Sequence, residues 1–165
     1  FRNFNFMIAR LLPNKTSEAV KKELDNIERI IGTELFKRVF KCILTDNGRE
    51  FQRPDELETS LDGSKRCWIF YCDANRSDQK AKVEKNHEYI RYIIPKGTSM
   101  DNYNQSNIDL MMSHINSTAR EVLNFAVPFD MASIYLGMDT MKKLNFFKIH
   151  PDNIILKPYL INKKK

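Results

Sequence analysis

The chain has 165 residues, a net charge of +6, 42% apolar residues and 29% charged residues. This length allows one domain with a real core and little room for a second, and the composition is that of a globular protein. No apolar run approaches the roughly 18 residues of a membrane span and no signal peptide is visible, which argues against a membrane protein. The basic charge suits a phosphate-rich partner, although many basic proteins bind no nucleic acid.

The first third of the chain predicts a strand followed by two helices. Residues 4–12 are strand-like and end at Pro13. Thr16 or Ser17 is placed to cap a helix that runs to Gly32, with apolar residues at helical spacing at Val20, Leu24, Ile27 and Ile31. Residues 35–40 predict a short helical turn. We expect the long helix to be a scaffold element that covers a sheet.

Two further strands follow. Residues 43–45 predict a short strand that ends at Asp46, before an Asn47-Gly48 turn. In an α/β sheet, ligands and catalytic groups collect at the carboxyl ends of strands. Residues 51–66 are polar and rich in turn residues. Residues 67–72 are apolar throughout, which predicts an interior strand with Trp68 in the core rather than on a base-stacking surface.

Residues 78–95 predict a helix that Pro95 and Gly97 close. Helical spacing places Val83, Ile90 and Ile94 toward a core, and beside them one stripe carries Lys80, Glu84, His87 and Arg91. One carboxylate therefore lies among cationic and imidazole groups. Together with a carboxylate at a strand end, it would supply the hard oxygen ligands that Mg²⁺ or Mn²⁺ prefers.

The remaining sequence predicts helices and little sheet. An amphipathic helix carries apolar residues at Ile108, Met111, Met112, Ile115 and Ala119. Two shorter helices cover residues 129–136 and 140–144, and Gly137 separates them. Residues 154–156 predict a short strand or an extended arm.

The cysteines and histidines predict no metal site of their own. Cys42, Cys67 and Cys72 have no Cys-x-x-Cys spacing, and the three histidines lie far apart. Small apolar core residues in a reducing compartment are therefore favoured over disulfides or zinc ligands.

A family resemblance rests on an ordered set of motifs. They are Thr45-Asp46-Asn47-Gly48-x-Glu50-Phe51, Tyr71-Cys72-Asp73, Gln79-Lys80, Glu84-x-Asn86-His87, Arg91 and Pro95-Lys96-Gly97. In this order they resemble the integrase-type catalytic core of DDE transposases, most closely the insertion-sequence-thirty family. That family is similar to retroviral integrases. The likeness extends over nearly the whole chain, through residues 11–16, 111–116 and 123–128.

The resemblance implies an α/β fold, namely a ribonuclease-H-like integrase catalytic core with a mixed central sheet flanked by helices. Residues 1–165 would form a partial core, truncated at its first strands, with residues 98–165 as its helical C-terminal part. The acids before Asp46 all fall on or beside predicted helices: Glu18, Glu23, Asp25, Glu28 and Glu34. Because the chain also opens on Phe1 in a strand-like run, we expect the first catalytic Asp and an amino-terminal helix-turn-helix region to lie upstream.

The resemblance also implies catalytic roles. Asp46 matches the second acid of the catalytic triad and Glu84 the third, with 37 residues between them. Three carboxylates would hold two Mg²⁺ or Mn²⁺ ions for strand cleavage and strand transfer during transposition of an insertion sequence. With only two of the three carboxylates, this chain alone is expected to be inactive or nearly so.

The candidates for DNA contact follow the same helix: Gln79, Lys80, Lys85, Asn86, His87 and Arg91. Cationic groups beside the metal ions can hold the scissile strand. His87 could orient Glu84 or contact DNA, and a half-buried histidine bonded to backbone is an equal alternative. Asp73 is interpreted as a helix or loop cap rather than a metal ligand.

The resemblance implies that the partner is double-stranded DNA, both at the transposon ends and at the target. It also implies that the full-length protein is a homo-oligomer. The implied location is the bacterial cytoplasm, at the nucleoid. Two alternatives stay open. One is a non-catalytic DNA-binding or assembly remnant of a transposase, and the other is a ribonuclease-H-like nuclease that acts on RNA or hybrids. Metal binding that depends on Asp46 and Glu84 separates the transposase from the remnant.

Overall fold

A computed structural model describes residues 1, 3–73 and 81–161, with the side chains of residues 81–85 outside that description. These residues form a mixed α/β structure with seven α-helices and a two-stranded parallel sheet. The chain divides into two compact units. The central unit is Leu12–Gln79, and the terminal unit combines Phe1–Leu11 with Lys80–Lys165. No helix within the described ranges is long and apolar enough to cross a membrane.

Between Leu12 and Asp73, the described part of the central unit contains three α-helices and the sheet. Helix α1 covers Ser17–Ile31, α2 covers Thr33–Val39 and α3 covers Pro54–Glu58. The hydroxyl of Thr16 accepts a hydrogen bond from the Ala19 amide at 3.3 Å, and Gly32 ends α1 with φ of 85°. Since glycine has no Cβ, it adopts this left-handed φ at little cost. Both predicted ends of α1 are confirmed.

A buried ion cluster joins α1 to the start of the second strand. The Arg66 side chain is fully buried, and its Nη1 lies 2.6 Å from Asp25 Oδ1 and 3.0 Å from Glu28 Oε2. Its Nε donates to the carbonyl of Leu57 at 2.8 Å. Charged groups are buried only when paired, so Arg66 explains why two acidic residues of α1 face the interior.

The neighbours of these two carboxyl groups decide their ionisation. Burial opposes the charged form of Asp25, but hydrogen bonds from Lys21 and Arg66 outweigh it and hold its pKa below the usual value. The pKa of Glu28 is lowered in the same way, against its burial, by hydrogen bonds that include one from Ser60. Both groups therefore contribute stability at neutral pH, which is lost as the pH falls through their lowered pKa values.

The sheet pairs strand β1 (Cys42–Thr45) with strand β2 (Trp68–Tyr71) in parallel. The predicted interior position of β2 is wrong, because Trp68 is 57% exposed and Phe70 is 52% exposed. The register pairs Cys42 with Trp68 and Leu44 with Phe70, so these exposed side chains share one face. A mixed central sheet was predicted, and the described residues form two parallel strands only.

Two further expectations for this region need correction. Trp68 is not a core residue, and the ammonium group of Lys65 lies 3.1 Å from the centre of its ring. Cys67 and Cys72 are buried free thiols as expected, whereas Cys42 is exposed. Burial raises the pKa of the Cys67 thiol to about 11, which keeps it protonated and unreactive.

The described residues of the terminal unit form four α-helices. They are α4 (Ala81–Ile93), α5 (Gln105–Ser117), α6 (Pro128–Leu136) and α7 (Met138–Lys143). Asn104 caps α5 in a capping box with Asn107. The predicted apolar positions of α5 are buried except Ala119, which lies beyond the helix: Ile108, Met111, Met112 and Ile115 are each at most 2% exposed. Gly137 separates α6 from α7, as predicted.

The strand predicted for residues 4–12 is wrong, because polar side chains of α5 take the place of a neighbouring strand. Asn116 accepts a hydrogen bond from the Met7 amide at 2.9 Å and donates to the Met7 carbonyl at 2.8 Å. Gln105 donates to the Ala9 carbonyl and accepts from the Leu11 amide. Alternate residues of this segment, Met7, Ala9 and Leu11, are therefore hydrogen-bonded to side chains of α5.

The carboxyl-terminal segment is bound to α5 in a similar way. Amide groups of this segment donate to side chains of α5: Phe147 to Ser113, Ile149 to Ser117 and Ile155 to His114 Nδ1. Residues 154–156 do not form a strand. The extended arm, the other form predicted for these residues, agrees with this attachment.

His114 predicts a pH dependence of stability. It is only 6% exposed, and burial lowers its pKa from the usual value near 6.5. Because the unfolded chain binds this proton more readily, we expect the free energy of unfolding to decrease as the pH falls below about 6.5. Urea unfolding at pH 7.5 and pH 5.5 measures this change.

His114→Asn is the control for that experiment, because the amide oxygen replaces Nδ1 as acceptor and does not titrate. The variant should lose less stability than the wild-type chain between the two pH values. An equal loss in both proteins would assign the pH dependence to other groups.

Candidate functional site

Asp46 lies immediately after the carboxyl end of β1 and is exposed. Its Oδ1 accepts a hydrogen bond from the Gly48 amide at 3.3 Å, which closes the predicted Asn47-Gly48 turn. This edge of the sheet is where parallel strands present ligand-binding groups. The structure thus confirms the predicted position of Asp46 at a strand end.

The loop after Asp46 is braced by residues for which no role was predicted. The carboxylate of Glu50 lies against Gly48, where an added Cβ would come within 2.6 Å of Oε2. Lys15 Nζ lies 3.4 Å from Glu50 Oε1, and the hydroxyl of Tyr71 donates to the Phe51 carbonyl. The role of Glu50 could have been predicted, because Glu50 belongs to the same sequence motif as Asp46. Tyr71 reaches this loop because the strand register pairs it with Thr45, the residue before Asp46.

Asp73 is a second exposed acid at this edge. The Cys72 amide donates to the Thr45 carbonyl at 2.8 Å, which extends the ladder to the residue before Asp73. The interpretation of Asp73 as a cap involves residues 74–80, which lie outside the described residues, and it stays a prediction.

Helix α4 carries the other candidates. His87, Glu88 and Arg91 are exposed and Asn86 is partly buried, whereas Ile93 is fully buried. The helix therefore presents His87 and Arg91 on an exposed face, as the predicted stripe requires. The alternative of a half-buried His87 is wrong, and the roles proposed for His87 and Arg91 stay predictions.

Four candidates fall wholly or partly outside the described residues. Gln79 and Lys80 precede α4 there, and Glu84 and Lys85 lie in α4 with side chains that are not described. Asp46 belongs to the central unit and Glu84 to the terminal unit. Their joint role as metal ligands is therefore a prediction from the resemblance.

The acids that precede Asp46 all lie on α1 or α2 and none lies on a strand. Asp25 and Glu28 pair with Arg66, Glu18 pairs with Arg53 at 2.8 Å, and Glu34 lies on α2. Across the described residues, no group of three His, Cys, Asp or Glu side chains converges as a metal site would require.

Sequence comparison finds transposases and an integrase. The ORF3 protein of Spiroplasma virus SpV1-R8A2 B, which is assigned as an integrase, is 32% identical over 69% of this chain and 33% of its own length. The transposase InsI for insertion sequence element IS30C of Escherichia coli strain K12 is 28% identical over 77% of this chain and 31% of its own. The chain is a relative of insertion-sequence transposases.

Another transposase relative shows the same partial coverage. The transposase for insertion sequence element IS1086 of Cupriavidus metallidurans is 28% identical over 58% of this chain and 27% of its own length. The matched region therefore spans about a third of these transposases and of the viral protein. No family model and no solved structure matches the chain.

Proposed function

We propose that the chain is part of the ribonuclease-H-like catalytic core of a DDE-type DNA transposase. The observation that carries the proposal is its 28–32% identity to insertion-sequence transposases and a viral integrase. The proposed reaction is metal-dependent cleavage of double-stranded DNA at transposon ends, followed by strand transfer into target DNA.

The position of Asp46 supports a catalytic role. The residue is exposed beyond the end of β1, and the adjacent turn is held by Gly48, Glu50 and Lys15. An exposed carboxylate on a loop at a sheet edge is a common position for a binding or catalytic residue. We assign Asp46 as a metal ligand.

Helix α4 supports the second assignment. Positions 84, 87 and 91 recur at helical spacing, and His87 and Arg91 are exposed. We assign Glu84 as the second metal ligand. Arg91 and His87, with Gln79, Lys80, Lys85 and Asn86, would hold the DNA backbone beside it.

The donor chemistry fits Mg²⁺ or Mn²⁺, because carboxylate oxygens are the ligands that these ions prefer. When bound, the ions would activate the attacking oxygen and stabilise the leaving oxygen. Asp46 supplies an exposed carboxylate at the sheet edge, and Glu84 follows in the sequence of α4. The role of these residues is to hold carboxylate oxygens at fixed positions for the ions.

The sheet leaves room for the third carboxylate that the resemblance implies. In the part of the chain that the structure describes, β1 has β2 as its only neighbour. Its other edge can pair with a further strand through main-chain hydrogen bonds. We propose that such a strand carries the first acid and that the chain alone is inactive or nearly so.

Calorimetric titration of Mn²⁺ tests the metal ligands. The wild-type chain is compared with Asp46→Asn combined with Glu84→Gln, at matched salt. Because each substitution replaces an anionic ligand by a neutral amide, we expect binding in the wild-type chain and its loss in the double variant. Equal titration of both proteins would contradict the metal site.

The matched control combines Glu34→Gln with Asp139→Asn. These two exposed acids also lie one in each unit, so the control makes the same change of charge. It should bind Mn²⁺ like the wild-type chain. Salt-sensitive DNA binding that Glu84→Gln leaves unchanged, without Mn²⁺ binding, would instead favour the non-catalytic DNA-binding remnant.

A further inference from the structure

The segment that begins at the end of α7 carries an excess of positive charge. Residues 142–157, here called the basic arm, contain four lysines and a single acidic residue: Lys142, Lys143, Lys148, Lys157 and Asp152. Lys142, Lys143 and Lys157 are exposed, and none of the three forms an ion pair with another described residue. Three ammonium groups of the arm are therefore available to a partner.

The distribution of charge along the chain makes this excess specific to one unit. The central unit has nearly equal numbers of acidic and basic residues, so the excess of positive charge in the chain lies in the terminal unit. An ordinary solvated surface mixes acidic and basic residues. The basic arm does not, and its sequence is typical of a surface that meets an anionic partner.

Buried neighbours decide which way the first lysines point. Met141, Leu144 and Phe146 are each at most 1% exposed. Lys142 and Lys143 lie between the first two of these core residues and are exposed at the end of α7. The Phe146 amide donates to the Met141 carbonyl at 2.9 Å, which ends the helix with its apolar side covered. The two ammonium groups are therefore held on the solvent side.

Helix α5 fixes the rest of the arm. Ser113 and His114 are adjacent on α5 and at most 6% exposed. Ser113 accepts a hydrogen bond from the Phe147 amide at 3.2 Å, and His114 accepts one from the Ile155 amide at 3.1 Å. The arm therefore meets the same turn of α5 near its beginning and again near its end. Its exposed lysines belong to one surface, on a backbone that the helix holds in place.

Such a surface suits the phosphate backbone of DNA. Duplex DNA carries one negative charge for about every 1.7 Å of its axis, and each ammonium group that contacts a phosphate releases condensed counterions. Because hydrogen bonds to α5 already order the arm, binding loses little further conformational entropy of the backbone. Contacts of this kind position a protein on DNA without reading its sequence.

We propose that the basic arm is a binding surface for the phosphate backbone of duplex DNA, with Lys142, Lys143 and Lys157 as its phosphate contacts. The choice of DNA as the partner rests on the function proposed above. The surface uses none of the residues assigned to the metal, and it lies wholly within the terminal unit.

The test measures binding of the full chain to a fluorescent duplex of arbitrary sequence by anisotropy, in EDTA and at several salt concentrations. The arm variant combines Lys142→Gln, Lys143→Gln and Lys157→Gln. Because each phosphate contact contributes about 0.9 to the slope of log affinity against log salt, we expect the slope to become about 2.7 smaller in magnitude. Affinity near 0.1 M salt should fall by at least about tenfold.

The matched control removes the same charge from the central unit by combining Lys22→Gln, Arg38→Gln and Lys41→Gln. These side chains are also exposed and form no ion pair with a described residue. The control should keep the wild-type slope. Replacing the three lysines of the arm by arginine keeps the charge and should also keep the slope. Residues 163–165 stay unchanged in every protein, and circular dichroism checks that each is folded.

The outcomes separate this inference from the proposed function. Equal slopes for the wild-type chain and the arm variant would overturn the role of the arm. An equal decrease in the control would also overturn it, because any loss of three positive charges would then suffice. A wild-type chain that binds no duplex in EDTA would overturn the inference as well. Since these measurements contain no metal, the Mn²⁺ titration decides the proposed metal site independently.

Discussion

Replacing Arg66 by methionine is expected to unfold the central unit or bring it close to unfolding. The substitution leaves the buried carboxylates of Asp25 and Glu28 without their cation. Removal of one partner from a buried ion pair costs about 3–5 kcal/mol. Since the total stability of a domain is about 5–15 kcal/mol, this loss is a large part of it. Urea unfolding followed by circular dichroism measures the change.

Arg53→Met is the matched control, because Arg53 pairs with Glu18 at 2.8 Å on the surface, where both side chains are more than half exposed. An exposed pair contributes about 0–1 kcal/mol, so this variant should unfold almost like the wild-type chain. Adding Asp25→Asn and Glu28→Gln to Arg66→Met should restore part of the loss, since no unpaired charge is then buried. Equal midpoints for Arg66→Met and Arg53→Met would refute the role of the cluster.

Replacing Asn116 by leucine is expected to release residues 6–11 from α5. Asn116 is fully buried and pairs with both the amide and the carbonyl of Met7. Leucine has a similar size and offers neither group, so two backbone groups lose their partner at about 1–3 kcal/mol each. We expect a loss of about 2–6 kcal/mol in the free energy of unfolding, measured in urea.

Amide exchange distinguishes this cause from general destabilisation. The Met7 amide should lose its protection in Asn116→Leu under conditions where α6 keeps its own. Asn153→Leu, at an exposed position of the same unit, should change neither quantity. Retained protection at Met7 would show that Asn116 does not hold the segment.

The helices could be predicted because their signals are local. Thr16 and Gly32 bound α1, and Gly137 divides α6 from α7, as the sequence indicates. Each signal acts within one or two turns of the chain. The position of Asp46 was predictable for the same reason, since an apolar strand ends directly before it.

The wrong predictions concern which elements pack against a given segment of the chain. Met7, Ala9 and Leu11 bind to α5 through their backbone groups, but the sequence of this segment alone does not show whether a strand or a helix satisfies those groups. Gln105 and Asn116 are polar residues on a helix that is otherwise rich in core residues. They could have indicated that this helix binds the backbone of another segment. The sequence of an apolar strand likewise does not show which of its two faces is covered by other elements. Trp68 was predicted in the core for that reason, although it is exposed.

The buried arginines were missed because their partners are distant in sequence. Arg66 lies 41 residues from Asp25 and 38 from Glu28. Arg120, which follows the end of α5, stacks on Tyr89 of α4. A basic residue in a polar stretch is expected at the surface, and only the fold shows that it meets these groups.

The attachment of residues 6–11 to α5 sets an order of events during synthesis. Met7 and Asn116 are separated by 109 positions, and the whole central unit lies between them in the chain. At about 5–20 residues per second, α5 follows the central unit by several seconds. During that interval the central unit can fold, while Phe6, fully buried in the finished protein, stays accessible to chaperones and to neighbouring nascent chains. The terminal unit therefore folds last, and its opening segment is the part most exposed to misassembly on the ribosome.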